Sequence, residues 1–435
     1  MYEGGLRQPG AAHPAEGFEV QVRFPYGSDE KVVDIPDHKL VGVYQPHEKA
    51  GAADLRAEVT RALSCPIESP RLSQLASGRK TAAIVVDDVT RAVPTREILP
   101  LILAELKAAG LESGNVTVIV ATGLHRALTK QELDAIRGDL PVEVVNHDAK
   151  DPAQLVSVGR TSLGQEILIN RRFMEADLKV LTGDVEYHQF CGYGGGAKSV
   201  YPGLADAASI RHNHSMMEIE GTGPGRIEGN PVRQEVEEVG RMAGVDFILN
   251  IVMNSHKQVV RAFAGHPFAA FRQGAALVDQ MYRVRAERAV GLVIASPGGF
   301  PKDVDLYQSQ KAVSAARRLV AQGGDIVVLA ECRDGHGSEL FDRWMTEARS
   351  LEDIFRRIQT KFVMGGHKAY QFARDIRWAR VHLLSSLPPQ KVKSYFMQPL
   401  ASVEDIQTLI QAASSIAAMP QASLTLVETS PDGSR

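Results

Sequence analysis

The sequence has few cysteines and no long hydrophobic segment. Its three cysteines, Cys65, Cys191 and Cys332, are too few and too widely spaced for a disulfide framework or a four-cysteine zinc site. No apolar run approaches the roughly 20 residues that a membrane-spanning helix needs. These absences argue against a disulfide-stabilised secreted domain and a membrane span, and they favour free thiols.

An excess of charge of one sign is also absent. The 49 lysines and arginines nearly balance the 52 acidic residues, and the net charge is −3. This balance offers no electrostatic basis for binding nucleic acid or an anionic membrane. Residues 1–17 lack the apolar region of a signal peptide, so we expect a flexible leader there. The sequence therefore predicts a cytoplasmic protein whose partners are small molecules.

The chain has the rhythm of a parallel α/β protein. With 435 residues, 44% of them hydrophobic, it is long enough for two domains. Short apolar, β-branched runs recur, and each is followed by a glycine or charge cluster and then by a longer helical pattern. The runs are "TAAIVVDDVTR" (81–91), "NVTVIVATGLHR" (115–126), "ADLKVLTGDVEYHQF" (176–190), "AVGLVIASPGGFPKD" (289–303) and "GDIVVLAECRDGHG" (324–337).

We predict two α/β domains with parallel-rich sheets, joined by connecting helices, with the active site in the cleft between them. One helix is predicted from Leu99 to Ala109, ending at Gly110, and another after Ser402, where Asp405 provides a start signal close to a capping box. The predicted segments are an N-terminal α/β domain (18–266), a connecting helix (267–288), a C-terminal α/β domain (289–400), and a returning helix and tail (401–435) that packs on the N-terminal domain.

Polar residues suited to chemistry follow the predicted strands. In the first half they are Asp87, Asp88 and Arg91, then His125 and Arg126, then His188 and Lys198. In the second half, Gln308 and Lys311 are i,i+3 neighbours on a predicted helix. Ligands of open α/β sheets bind at the carboxyl ends of the strands. One such residue alone is usually a helix cap, a surface ion pair or an ordinary loop residue, but four loops at one edge favour a ligand site.

The segment "HQFCGYGGGAKSVYPG" (188–203) resembles a phosphate-binding loop with one residue changed. From Gly192 to Ser199 it has the P-loop spacing, but Ala197 replaces the last glycine. Pro202 follows Lys198 so closely that a P-loop helix would end almost at once. A degenerate P-loop enzyme is therefore a minor alternative. The glycines instead predict that a flat or bulky group lies against the backbone beside the lysine.

Two further patterns limit the alternatives. His212 and His214 are two residues apart and lie on different faces of a helix, so at most one is expected to bind a given ion. One histidine alone is weak evidence for a metal. A nicotinamide dehydrogenase is disfavoured because the loop lacks G-x-G-x-x-G followed about 20 residues later by an acid.

Taken together, these motifs resemble the nickel-dependent lactate racemase family. The resemblance covers roughly residues 30–420 and depends on the order and spacing of five features. They are "DDVTR" (87–91), "TGLHR" (122–126), "YHQFCGYGGGAKSVYPG" (187–203), His214 and "YQSQKA" (307–312).

The resemblance implies a racemase or epimerase of a 2-hydroxy acid that uses a nickel pincer nucleotide, a pyridine mononucleotide with two sulfur-bearing arms. It implies that separate biosynthetic enzymes supply this cofactor, and it leaves an oligomer open. The implied roles are covalent attachment of the cofactor for Lys198, nickel ligation for His214, and acid/base catalysis for His125 and His188, with His188 also contacting the cofactor. Asp88 and Arg91 are implied to contact cofactor and substrate, and Tyr307, Gln308 and Lys311 to contact substrate. The alternative is a catalytically inactive binding protein of the same fold.

The implied chemistry agrees with these residue types. The α-hydrogen of a 2-hydroxy acid lies beside a carboxylate, so it leaves more readily as hydride than as a proton. A base must then take the hydroxyl proton, and two histidines suit the two faces of the keto acid. Arg91 or Lys311 would hold the carboxylate. The substrate stays open among lactate, malate, and aromatic, longer aliphatic or sugar acids. The roles of Cys191, His212, His367, Lys368 and Trp378 also stay open.

Overall fold

The computed structural model describes residues 18–360, 363 and 365–429, so the predicted leader lies outside the described residues. The chain forms two compact units. The central unit comprises residues 46–283, and the terminal unit comprises residues 18–45 together with 284–429. Within the described part of the chain, we find no helix with the length and apolar character needed to cross a bilayer.

Strands occur throughout both units. They are β1 Glu19–Tyr26, β2 Asp29–Pro36, β3 Leu40–Val43, β4 Ala82–Asp87, β5 Val116–Ala121, β6 Glu143–Asn146, β7 Leu155–Arg160, β8 Glu166–Asn170, β9 Leu178–Asp184, β10 Tyr187–His188, β11 Gly192–Tyr193, β12 Phe247–Met253, β13 Val259–Gly265, β14 Arg283–Ala286, β15 Val290–Ala295, β16 Val320–Leu329, β17 Arg380–Leu384, β18 Gln398–Leu400, β19 Ile416–Met419 and β20 Leu426–Thr429.

Helices separate most of the strands. They are α1 Leu55–Ser64, α2 Leu72–Ala76, α3 Thr95–Ala108, α4 Lys130–Arg137, α5 Arg171–Glu175, α6 Ala207–Ser215, α7 Pro231–Met242, α8 Pro267–Tyr282, α9 Leu306–Arg317, α10 Glu339–Glu347, α11 Leu351–Thr360, α12 Gly366–Trp378, α13 Pro389–Ser394 and α14 Val403–Ala412. Short 3₁₀ turns include Gly196–Ser199.

The central unit is built on a six-stranded sheet with the order β13-β12-β9-β4-β5-β6. All neighbouring strands are parallel except β12 and β13. Strand β4 is apolar and buried along most of its length, which is typical of a parallel strand covered on both faces. Because β9, β4 and β5 are neighbours and parallel, the loops that follow them emerge side by side at one edge of the sheet.

The terminal unit has its own six-stranded sheet, ordered β18-β17-β16-β15-β19-β3, and every neighbouring pair in it is parallel. A hairpin of β1 and β2 belongs to the same unit. The prediction of α/β structure with parallel-rich sheets is therefore confirmed.

The division of the chain differs from the predicted boundaries. The sequence predicts residues 18–45 in the N-terminal domain, but β3 is the edge strand of the terminal sheet, beside β19. The returning helix α14 packs in the terminal unit, where Ile406 shares a core with Val22 and Phe24 of the first hairpin. Local patterns predict strands and helices but do not show which sheet a strand joins across more than 370 residues of sequence.

The predicted connecting helix also differs. It ends at Tyr282 instead of continuing to residue 288, and Arg283–Ala286 forms strand β14, which pairs with β20. Helix α8 packs on β12 and β13 and so belongs to the central unit. A charged sequence such as "RVRAE" fits an amphipathic helix as well as a strand, so only its partner strand decides between them.

The predicted start of α14 and the predicted end of α3 agree with the structure. Asp405 accepts hydrogen bonds from the amides of Ala401 (2.7 Å) and Ser402 (3.2 Å) at the start of α14. Helix α3 ends before Gly110, as expected, but it begins at Thr95 and continues through Pro100. The helix therefore begins four residues earlier than predicted, with Pro100 inside it.

Candidate functional site

The site lies in the central unit, at the carboxyl ends of β4, β5 and β9. The β4 loop carries Asp88 and Arg91, the β5 loop carries His125, and the β9 loop carries His188 and Lys198. Two hydrogen bonds join these loops, one from His125 to Asp88 and one from Arg91 to Glu186. The predicted residues of the first half of the chain are thus brought together by neighbouring parallel strands.

A buried carboxylate, Asp88, pairs with the exposed imidazole of His125. Oδ2 of Asp88 lies 2.6 Å from Nδ1 of His125, and Oδ1 accepts from the hydroxyl (2.5 Å) and amide (3.0 Å) of Thr90. Burial alone would raise the pKa of Asp88, but these hydrogen bonds outweigh it and the pKa is lowered. Because the ionised carboxylate accepts the Nδ1 proton, the basic lone pair of His125 is on Nε2.

His188 has the opposite arrangement. The amide of Cys191 donates to its Nδ1 at 3.2 Å, so the neutral ring carries its proton on Nε2. Burial, followed by the positive charges of Lys198 and Arg91, lowers the pKa of His188 well below its ordinary value. His188 is therefore neutral with a donor at Nε2, whereas His125 has a base there.

Arg126, which was also singled out in the sequence, has an ordinary structural role. Its guanidinium forms two hydrogen bonds with the Glu132 carboxylate, at 2.6 and 2.7 Å. The pair is exposed at the start of α4, where Glu132 also accepts from the amide of Thr129. It is a surface ion pair of the kind expected for a single arginine in a loop.

The glycine-rich loop does not form a P-loop helix. Residues Gly196–Ser199 make one 3₁₀ turn, and the chain then turns away before Pro202. Gly192 has φ +79°, and a Cβ there would lie 2.1 Å from the carbonyl oxygen of Arg226. The methyl group of Ala197 faces α7, because a Cβ added to Gly240 would meet it at 2.5 Å. The alanine thus packs against a helix where a P-loop would have glycine.

Several residues that the sequence did not single out hold this loop. Asn250 accepts from the amide of Gly196 at 2.8 Å, and Asp279 accepts from the hydroxyls of Tyr187 (2.8 Å) and Tyr193 (2.6 Å). Arg233 donates to two carbonyl groups of the loop. These residues are on β12, α8 and α7, and a single sequence provides no signal that these elements meet.

Lys198 lies in an environment that disfavours its charged form. Burial is the main reason that its pKa is lowered, and the charge of Arg91 is the next. Arg233 acts in the same direction, while Cys191 and Asp87 oppose it. A desolvated lysine beside other cations is a better nucleophile because more of its amine is uncharged at neutral pH.

Carboxyl groups surround Arg91. Its Nη1 donates to Glu186 at 2.5 Å. Burial raises the pKa of Asp87 to about 6, and burial with repulsion from Glu186 raises that of Asp184 to about 7. Oδ2 of Asp87 is buried and has no hydrogen-bond partner within the described structure. Part of the negative charge expected from these acids is therefore absent near neutral pH.

His212 and His214 both lie on α6, and they contact different partners, as their spacing predicts. His214 donates from Nδ1 to the carbonyl of Ile210 at 2.8 Å, which leaves the lone pair on Nε2. Burial lowers its pKa to about 4, so the ring is neutral. His212 Nε2 instead lies 3.1 Å from the buried carboxylate of Glu235. The ring of Phe190 makes edge contacts with both His188 (4.6 Å) and His214 (5.4 Å).

The remaining predicted residues are in the terminal unit. Tyr307, Gln308 and Lys311 are on α9, which starts where Asp305 accepts from the amide of Gln308 at 2.7 Å. Their contact with substrate stays a prediction.

The segment 365–378 divides between two environments. The centroid of the Tyr307 ring lies 6.3 Å from the centroid of the His367 ring and 5.4 Å from Nζ of Lys368. Lys368 is buried and donates to Gln310 at 2.8 Å. Trp378 donates to the carbonyl of Val320 at 3.0 Å, at the other end of α12. The start of α12 therefore lies beside Tyr307, while Trp378 packs against β16.

Comparisons with known proteins agree on one family. The lactate racemase N-terminal domain model matches residues 26–223, and the C-terminal domain model matches residues 285–433. The lactate racemase of Thermoanaerobacterium thermosaccharolyticum is 37% identical over 347 residues, which cover 78% of this chain and 81% of that protein. The lactate racemase of Lactiplantibacillus plantarum is 33% identical over 329 residues, covering 74% and 77%.

Solved structures give the same result. The lactate racemase apoprotein of T. thermosaccharolyticum matches with a TM-score of 0.84 and 32% identity, covering 94% of this chain and all of that one. A protein from Thermotoga maritima matches with a TM-score of 0.60 at 18% identity, covering 88% of this chain, and supports the fold alone.

Proposed function

This chain belongs to the lactate racemase family, whose reaction is an isomerisation, and we propose that it interconverts the two enantiomers of lactate or a closely similar 2-hydroxy acid. The predicted family and the predicted enzyme class, an isomerase, are thereby confirmed. The observation that best supports the proposed reaction is the pair of histidines with opposite tautomers, His125 and His188, in the loops that follow β5 and β9 at one edge of the sheet.

His125 is proposed as the base for one enantiomer. Its Nε2 lone pair takes the hydroxyl proton as the C–O bond becomes a carbonyl, and the ionised Asp88 stabilises the imidazolium that forms. Asp88 also keeps the ring in one tautomer, since Nδ1 donates to its carboxylate. The dyad thus provides a base whose orientation is set before substrate arrives.

His188 is proposed as the complementary group at the other face. The neutral ring can donate an Nε2–H hydrogen bond to the keto oxygen at this face. Transfer of a proton to that oxygen requires the imidazolium form of His188, which gives one proton to the substrate and returns to the neutral ring, while His125 has gained one proton from the substrate hydroxyl. Burial lowers the pKa of His188, which favours this transfer. In the reverse direction His188 gains the proton and His125 gives it up, as microscopic reversibility requires.

The residues present fit a nickel pincer nucleotide. Burial disfavours the charged form of the Lys198 amine and lowers its pKa, and we propose that this lysine, in the turn that follows the glycines, forms the thioamide link. His214 has its Nδ1 proton on a backbone carbonyl, so Nε2 is the nitrogen that would bind nickel. Imidazole and sulfur donors suit this metal. When bound, the cofactor supplies an acceptor for the α-hydrogen as hydride.

The carboxylate of the substrate is assigned to Arg91. Its guanidinium fork suits a carboxylate, and Glu186 holds it through Nη1. Asp87 and Asp184 are next to it, but their raised pKa values reduce the repulsion that an anionic substrate would meet. Tyr307, Gln308 and Lys311 are proposed as further substrate contacts, and Asp88 as a contact of the cofactor site.

The proposal is tested on protein made in a host that synthesises the cofactor. Enantiopure D- and L-lactate are each incubated with the protein and separated by chiral chromatography, while the nickel content and the mass of the Lys198 peptide are measured. We expect interconversion in both directions, about one nickel per chain, and a covalent adduct on Lys198. Active nickel protein with unmodified Lys198 would exclude the proposed link.

Substrate choice and cofactor supply are tested in the same experiment. Interconversion of malate or an aromatic 2-hydroxy acid, with neither lactate enantiomer converted, would refute lactate as substrate. Protein from a host without the cofactor pathway is the matched control and should be inactive, because the proposed function needs the biosynthetic enzymes as partners.

A further inference from the structure

Arg233 is a buried arginine without an acidic partner. It lies on α7 at 1% exposure, and among the described residues no carboxylate pairs with it. Its Nη1 is buried with no hydrogen-bond partner there either. Burying a charge without a partner of opposite charge lowers stability, so the contacts that Arg233 does make must account for its presence there.

Its two hydrogen bonds both reach the glycine-rich loop. Nε donates to the carbonyl of Cys191 at 3.1 Å, and Nη2 donates to the carbonyl of Tyr193. These carbonyls flank Gly192, whose backbone is in the left-handed region. The planar guanidinium therefore spans the bend at Gly192 with two donors at a set spacing, which a lysine amine could not reproduce.

A second contact fixes the guanidinium itself. It lies 4.4 Å from the ring centroid of Phe271 on α8. The same ring closes the loop at Gly196, where a Cβ would approach it to 3.0 Å. Arg233 and Phe271 thus support the loop at both ends of its run of glycines.

The supported loop carries the residues of the proposed reaction. The amide of Cys191, whose carbonyl accepts from Arg233, donates to Nδ1 of His188. Lys198 follows at the end of the 3₁₀ turn. Burial, followed by the charge of Arg91, lowers the pKa of Lys198, and the charge of Arg233 adds to this effect. A shift of the loop would therefore move both groups.

We propose that Arg233 is a positioning residue, which holds the carbonyls of Cys191 and Tyr193 and thereby sets the positions of His188 and Lys198. The catalytic part rests on the proposed function, but the loop-holding part does not, because it is measured on protein without cofactor. The competing explanation is that Arg233 contributes only to general stability.

The chain offers two matched controls on α7. Arg241 places its guanidinium 4.6 Å from the ring of Phe268, but it pairs with Glu237 and, within the described structure, makes no hydrogen bond to the loop. Val236 is fully buried, so Val236→Ala lowers stability through a core cavity without touching a loop hydrogen bond. Arg241→Met shows the effect of losing an arginine from α7, and Val236→Ala shows the effect of lower stability. Neither change removes a hydrogen bond to the loop.

The experiment is hydrogen exchange by mass spectrometry on cofactor-free protein. Arg233→Met and Arg233→Lys should accelerate exchange in peptides spanning residues 190–200 at least about tenfold, while peptides of β4 and β9 stay within about twofold of wild type. Arg241→Met should leave the loop unchanged, and Val236→Ala should not accelerate it selectively. Exchange in the loop within twofold of wild type, or uniform acceleration, would overturn the proposal.

A kinetic measurement on cofactor-loaded protein completes the test. Arg233→Lys should lower kcat for lactate interconversion at least about tenfold with KM changed less than threefold, because misplacement of His188 affects the reacting geometry more than binding. Unchanged kcat despite a mobile loop would overturn the catalytic part. If neither Arg233 variant folds while Val236→Ala does, Arg233 is a folding residue and the proposal is wrong. Inactive wild-type protein with a selectively mobile Arg233→Lys loop would count against the proposed function only.

Discussion

The carboxylate of Asp88 and the imidazole of His125 are joined by a 2.6 Å hydrogen bond between loops that follow neighbouring strands. The bond assigns the Nδ1 proton of His125 and points its basic nitrogen away from Asp88. Thr90 holds the other carboxylate oxygen, so the orientation of the pair is set by three separate contacts.

Asp88→Asn should therefore lower kcat at least about 100-fold without unfolding the protein. An amide at this position can donate to Nδ1 and would stabilise the wrong tautomer of His125. The measurement is kcat for both lactate enantiomers with cofactor-loaded protein, and Asp134→Asn, which alters an exposed i,i+3 ion pair, is the control. A kcat equal to that of wild type in the Asp88 variant would refute the proposed role of Asp88 in orienting His125.

His188→Ala should abolish interconversion in both directions. Each direction needs a proton removed at one face and returned at the other, so loss of either group stops both, by about 100-fold or more. His125→Ala is the companion variant and should behave alike, although its hydrogen-bonding differs. Near-normal rates in both directions for either variant would contradict the two-histidine mechanism.

His214→Ala should lose nickel, whereas His212→Ala should retain it. His214 has a lone pair on a neutral Nε2, while His212 is engaged by Glu235 on another face of α6. Metal content is measured by atomic emission on protein purified from the cofactor-producing host. Full nickel occupancy in the His214 variant would show that His214 is not the ligand. Loss of nickel in the His212 variant would assign the ligand role to His212.

Asp184→Asn should stabilise cofactor-free protein more at pH 8 than at pH 5. Asp184 has a pKa of about 7 when folded, against 3.8 ordinarily, so the folded state binds this proton more tightly and stability falls as pH rises through that window. Asparagine does not ionise, and its advantage should therefore grow by about 2 kcal/mol between these pH values. Urea unfolding at both pH values measures it.

Asp177 provides a control of opposite sign. Amides of Lys80 and Thr81 lower its pKa, so its contribution to stability is complete above its unfolded value and is the same at pH 5 and pH 8. The effect of Asp177→Asn on the free energy of unfolding should therefore be the same at pH 5 and pH 8. An equal effect of Asp184→Asn at both pH values would show that Asp184 is ionised throughout.

Much of the fold could be predicted because the signals are local. The apolar runs that became β4, β5 and β9 are followed by polar residues, and parallel pairing then brings those residues to one edge. The assignment of β3 to the terminal sheet could not be predicted in this way. Its partner, β19, is about 370 residues distant, and four residues of apolar sequence do not specify a partner.

The site residues also differ in whether a local sequence signal indicates them. Asp88, His125 and His188 follow strands within a few residues, and Lys198 lies farther along the loop after β9, so their place at this edge could be predicted from the sequence. Asp184 ends β9 and Glu186 follows it closely, so the same rule would have found them. Arg233 could not be found, because it occupies a buried position of a helix whose sequence gives no sign of the loop it supports.

The central claim is that the α-hydrogen moves as hydride and returns to the same carbon. The direct test is to incubate cofactor-loaded wild-type protein with L-lactate deuterated at the α-carbon, in ordinary water, and to measure the isotope content of the D-lactate formed. Our account predicts that D-lactate retains the deuterium, because the hydrogen never exchanges with solvent, while His188→Ala forms no D-lactate. D-lactate formed with its α-deuterium fully replaced by solvent hydrogen would contradict the account.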